Sequence, residues 1–141
     1  MVSLVRPNVE ICIVCSDFQE SLRFYHELLG LEIVMDINID GGFASEVGLA
    51  PRGFRQVRMM AGETVIKLMD IEPPPSPRTE EFAAGVRFIT FFTANLRATY
   101  DDLKRKGVRF LSEPIDAEGW GVVVNAVDPD GVLIEMFEPN Q

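Results

Sequence analysis

A chain of 141 residues, 47% hydrophobic and 25% charged, suits one globular domain or two small fused modules and can bury roughly 70% of its unfolded surface. Its net charge of −9 speaks against a nucleic-acid partner, because binding to a phosphate backbone relies on clustered Lys and Arg. No window approaches the ~18 consecutive apolar residues of a membrane span, and residues 1–8 hold no signal-peptide core, so a cytoplasmic protein without a membrane partner is expected. The same acidity favours a cationic small molecule electrostatically and also serves solubility.

Residues 9–15 form a β-branched run with Val9, Ile11, Ile13 and Cys15 on one side and Glu10, Cys12 and Val14 on the other. Cys12 and Cys15 match a Cys-x-x-Cys spacing, yet three residues apart on a strand they point to opposite faces. Neither a disulfide nor a shared metal fits that arrangement. A helix follows, opened by the capping-box spacing of Asp17 and Glu20 and stopped by Gly30. Phe18, Leu22, Tyr25, Leu28 and Leu29 form its apolar stripe. Residues 31–39 read as a second strand. Residues 43–53, with Gly48, Pro51 and Gly53 and no clear period, are expected to be a loop, either a lid or a plain surface excursion. Residues 54–60 and 63–70 read as a hairpin around Gly62. Pro73, Pro74, Pro75 and Pro77 then interrupt the chain as a stiff linker.

The order repeats beyond the linker. Residues 85–93 are strand-like, and Asn95 is the expected cap of a helix with Leu96, Tyr100 and Leu103 on its apolar side and Gly107 as its stop. Residues 108–111, 120–127 and 132–138 are the remaining strands. Asp17 maps to Asn95 and Gly30 to Gly107 at separations of about 77 residues, which gives two tandem βαβββ modules, residues 1–72 and 79–141, joined by the Pro-rich linker 73–78. The fold class is α+β, and each four-stranded sheet has only one helix, so its other face needs a partner or a ligand.

The most informative stretch is Asp128-Pro129-Asp130-Gly131, a turn signal, followed by a strand with Leu133, Glu135 and Phe137 on one face and Val132, Ile134 and Met136 on the other. Glu135 sits among apolar neighbours and requires water, a cation or a chemical role. This segment, with Ser21-x-x-Phe24-Tyr25-x-x-Leu28-Leu29-Gly30-Leu31 in the first module, resembles the vicinal oxygen chelate superfamily of glyoxalase I, bleomycin resistance proteins and extradiol dioxygenases. The resemblance covers nearly the whole chain. It implies a single glyoxalase-like domain with a cupped mixed sheet, a small-molecule cavity and a homodimer.

In metal-dependent members the ligands come from the first and last strands of each module. The matching positions here are Glu10, Lys67, Phe88 and Glu135, and only Glu135 is a typical ligand. A catalytic Zn, Ni or Fe site needs about three protein donors, phenylalanine offers none, and an ammonium repels a cation. The one histidine, His26, belongs to the surface of the first helix. We therefore expect no metal and no cofactor. If Glu10, Lys67 and Glu135 converge, Lys67 stands where a cation would, one carboxylate is held ionised and the other has a raised pKa. That trio suits a metal-independent lyase or isomerase using acid–base chemistry, with Lys67 stabilising an oxyanion. The alternative for the same residues is a structural ion pair.

Phe88, Thr90, Phe92 and Phe137 are expected to line the ligand cavity, together with Cys12 on the Glu10 side of its strand and Trp120 as rim packing or stacking surface. The competing functional reading is a ligand-sequestering protein of the antibiotic-resistance type, whose aromatic walls hold a cationic aromatic molecule without chemistry. A third is a dimeric scaffold with a vestigial cup. Arg52, Arg55 and Arg58 either meet an anionic group or are simply solvated.

Overall fold

The computed structural model describes residues 1–141 and separates them into two units, Met1–Ser76 and Pro77–Gln141. The first contains β1 (Glu10–Val14), α1 (Phe18–Leu22), β2 (Glu32–Ile39), α2 (Gly41–Val47), β3 (Phe54–Ala61) and β4 (Thr64–Asp70). Its sheet runs β1-β4-β3-β2, with β1 parallel to β4 and the other pairs antiparallel. The second unit contains β5 (Phe88–Phe92), α3 (Leu96–Arg105), β6 (Arg109–Phe110), β7 (Ile115–Ala117), β8 (Gly121–Val127) and β9 (Leu133–Pro139). Its order is β5-β9-β8-β6, again with the first strand parallel to the last, and β7 pairs with β8 as well. The fold is α+β, and the two sheets share one strand order.

Period-2 alternation decides what each sheet buries. In the first unit Ile13, Val57, Met59, Ile66 and Leu68 share one face and are nearly inaccessible. In the second, Val124, Ala126, Ile134 and Met136 do the same, and α3 adds Leu96, Tyr100 and Leu103 to the buried set. Cys15 is buried and Cys12 exposed, on opposite sides of the first chain segment, and no disulfide joins them.

Three local readings of the sequence are corrected by the structure. The helix after Asp17 begins as expected, the Asp17 carboxylate accepting from the Glu20 amide at 3.2 Å. From Arg23 to Leu28, however, it widens into a π-helical turn, with the Leu29 amide donating to the Phe24 carbonyl at 3.0 Å. The wider turn lets the adjacent Phe24 and Tyr25 both be buried, rings edge-to-face at 4.9 Å. His26 stays exposed, its Nδ1 at 2.8 Å from the Leu31 carbonyl.

Residues 43–53, expected as a loop, begin inside α2. Asp40 caps that helix by accepting from the Phe43 amide at 3.1 Å, and Gly48 closes it in the left-handed region at φ 78°. Asn95, expected to cap α3, has φ 54° and no side-chain hydrogen bond. The orphan Leu96 amide donates instead to the Glu138 carboxylate on β9, at 2.7 Å.

Candidate functional site

The face of the first sheet opposite its buried apolar residues carries Glu10, Cys12, Lys67 and Arg58. Cross-strand register places Cys12 beside Lys67 and Lys67 beside Arg58; two residues along, Val14, Met69 and Gln56 form the next row. This face floors a cavity of about 730 Å³, walled by Phe43 of α2, by Leu49 just beyond it, and by Pro73, Pro74 and Pro75. The wall from α2 was missed in the sequence because the Asp40 and Gly48 caps flank a segment with no helical period. Arg52 is held away from ligand duty, its guanidinium donating to the backbone carbonyls of Glu72 and Pro73.

At the edge of this floor Lys67 Nζ lies 2.6 Å from Glu10 Oε2. The hydrogen bond from the ammonium holds the Glu10 carboxyl below its ordinary value, and burial opposes it only in part. Burial pushes the Cys12 thiol up, with Lys67 pulling the other way. Arg58 donates through Nε to Gln56 Oε1 at 2.7 Å and makes no salt bridge. Arg55 points to the other side of its strand and pairs with Asp36 at 2.8 Å.

In the second unit, register brings Phe88 beside Leu133, Thr90 beside Glu135 and Phe92 beside Phe137. Thr90 Oγ1 donates to Glu135 Oε1 at 2.9 Å, so a hydroxyl satisfies one oxygen of this half-buried carboxylate. Phe92 and Phe137 meet edge-to-face at 6.0 Å. Trp120 lies in the turn before β8, its amide bonded to the Ala117 carbonyl; its side chain makes no ring contact and is 74% exposed, which makes it a surface residue rather than packing. The sequence-predicted site residues thus fall into two sets: Glu10, Cys12 and Lys67 on the first sheet, and Phe88, Thr90, Phe92, Glu135 and Phe137 on the second.

Residues 9–136 match the Glyoxalase/Bleomycin resistance protein/Dioxygenase superfamily. The chain belongs to that superfamily. Among its relatives, the uncharacterized protein YraH of Bacillus subtilis (strain 168) is 30% identical over 132 residues, covering 92% of this chain and 96% of YraH. Human mitochondrial methylmalonyl-CoA epimerase is 26% identical over 133 residues, 89% of this chain and 70% of the epimerase. A glyoxalase family protein from Bacillus cereus superposes with a TM-score of 0.81 at 21% identity, covering 99% of this chain and 97% of the other. TnmS3, an antibiotic binding protein from Streptomyces, gives 0.68 at 22% identity, with 98% and 100% covered. At such identities the structures share the fold.

Divalent metals serve many glyoxalase-superfamily members, and the four positions that motif registration assigns here offer a poor donor set for one: the Glu10 carboxylate is hydrogen-bonded to an ammonium, and Phe88 has no donor atom. The Glu10–Lys67 contact has a direct consequence. A carboxyl whose folded pKa is depressed contributes stability that is present above its ordinary value, near 4.5, and lost as pH falls through the lower folded value. Lys67→Met is therefore expected to return Glu10 to the ordinary carboxylate range and to flatten the loss of stability below pH 4.5. A carbon-13 titration of the Glu10 carboxyl that is unmoved by the substitution would refute the pairing.

Proposed function

We propose that this chain binds a small organic molecule in the cavity of its first unit and holds it without chemistry. One observation carries this reading. The cavity is of ligand size and largely apolar, no Asp or Glu lines it, and the carboxylate at its edge, Glu10, is hydrogen-bonded to Lys67, which makes it a weaker base. Binding by TnmS3, on the same fold, is consistent with it. The mode of action is sequestration, by a cytoplasmic homodimer with no nucleic-acid or membrane partner and no cofactor. The acidic net charge speaks against a nucleic-acid partner, and no helix is long and apolar enough to cross a membrane. The modules 1–72 and 79–141 then serve as one glyoxalase-like domain.

Cys12 reports occupancy. It lines the cavity and is exposed, whereas Cys15 is buried. In a small-molecule screen with chelator present, a ligand that raises the melting temperature is expected to slow maleimide labelling of Cys12 at pH 8.5 and to be recovered unchanged. Stabilising ligands that leave Cys12 labelling untouched would place binding elsewhere and end this reading.

A second reading rests on Glu135. Thr90 engages Oε1 alone, leaving Oε2 for a proton, which favours the metal-independent lyase or isomerase with Glu135 as acid–base group. The epimerase relative is in keeping with that class. Glu135→Gln would then abolish ligand proton exchange into deuterated water; wild-type protein that catalyses none removes this reading.

A further inference from the structure

The cavity of the first unit is electropositive inside a protein of net charge −9. Arg52, Arg58 and Lys67 line it, and no Asp or Glu does. Lys67 is neutralised by Glu10 at 2.6 Å, and Arg52 gives its donors to backbone carbonyls. Arg58 is different. It stands directly opposite Lys67 across β3 and β4, a like-charge cross-strand pair that costs stability; it adds to the field that lowers the Glu10 carboxyl but has no carboxylate within ion-pair distance. It is half-buried, and its Nε is fixed by the Gln56 carboxamide at 2.7 Å, while Gln56 is itself only 6% exposed. The terminal nitrogens therefore form a positioned, uncommitted fork. A fork of this kind matches a planar carboxylate, which accepts two parallel hydrogen bonds. A dianionic phosphate would call for a second uncommitted cation, and Lys67 is already spent on Glu10.

We propose that the cavity takes an amphipathic monocarboxylate, its carboxylate seated end-on across the terminal nitrogens of Arg58 and its apolar body against Met69, Ile39 and Phe54. This rests on the binding reading above and names the ligand class for it. It also reverses the sign that net charge alone suggests, because the acidic groups that dominate the total do not line the cavity.

The test uses the whole chain and four probes on one ring system: 2-naphthoate, its neutral amide, 2-naphthylmethylammonium and 2-naphthyl phosphate, with affinity from calorimetry and occupancy from protection of Cys12. Naphthoate is expected to bind at least tenfold more tightly than the amide. Arg58→Gln should bring it down to the amide's affinity while leaving the amide within about twofold of its wild-type value. Arg58→Lys, which keeps the charge and loses the fork, should recover only part, and it supplies the comparison if the Gln variant fails to fold. Equal binding of acid and amide, or tightest binding of the ammonium, overturns the carboxylate assignment and leaves an apolar binding cavity. Tighter binding of the phosphate overturns the choice of head group. If no probe protects Cys12 in the wild-type chain, this proposal and the binding reading both fall.

Discussion

Asp128→Ala is expected to cost about 2–5 kcal/mol, because the change strands two backbone N–H groups at once. Asp128 is 4% exposed, and its Oδ1 accepts from the Asp130 amide at 2.9 Å and the Val132 amide at 2.8 Å. The Asp128 amide closes the turn on the Val132 carbonyl at 2.9 Å, and the Gly131 amide donates to the Asp128 carbonyl at 3.1 Å. Alanine removes the acceptor from both donors, and the Val132 amide, in the more buried setting, is the costlier one to leave unpaired. Asp128→Asn keeps an oxygen in the same place and should lose far less. Denaturant titration of the two variants, with hydrogen exchange read at the Val132 amide, separates them. An alanine variant as stable as wild type, with Val132 exchange unchanged, would show that the turn does not depend on its first carboxylate.

The turn matters to function because it sets the register of β9. A slip of one residue would turn Glu135 and Phe137 to the buried face and Ile134 and Met136 to the open one. The Thr90–Glu135 hydrogen bond requires the present register, so weakening the turn should also loosen that pair.

Most features held by local physics were legible in the sequence, with α2 the exception because its capped segment has no helical period, and most features held by distant partners were not. The Asp128 turn, the alternation along β9, the opposite facing of Cys12 and Cys15, and the stripe of Leu96, Tyr100 and Leu103 all follow from neighbours within a few positions. The Lys67 and Glu10 positions were found through motif registration, and strand pairing brings them together. The cap of α3 could not be found this way, because the residue that supplies it, Glu138, is 42 positions from Leu96. Nor could the π-helical turn, whose justification is the joint burial of Phe24 and Tyr25. The sign of the cavity was hidden for a related reason: whether Arg58 is paired depends on which strands flank it, and composition does not carry that information.

Gly121→Ala should be the other severe change, at about 2–4 kcal/mol, combining a backbone conformation that L-residues resist with a steric collision. Gly121 has φ 148° and pairs with Pro139 at the mouth of the β8–β9 ladder. A Cβ there would fall 2.0 Å from the Glu138 carbonyl oxygen and 2.9 Å from the Pro139 Cα, both backbone atoms that no rotamer change can move aside. The strand must shift, and Glu138 shifts with it. Its carboxylate caps α3 through the Leu96 amide, so damage at the sheet edge should reach the helix. Gly119→Ala is the control: φ is 76° and nothing lies within 4 Å of an added Cβ, so it should cost only the left-handed backbone penalty of about 1–2 kcal/mol. Unfolding midpoints of the two variants isolate the collision from the strain, and hydrogen exchange at Leu96 shows whether the collision travels. If both alanines cost the same and Leu96 stays protected, the close approach of β8 to β9 is not what demands glycine at position 121.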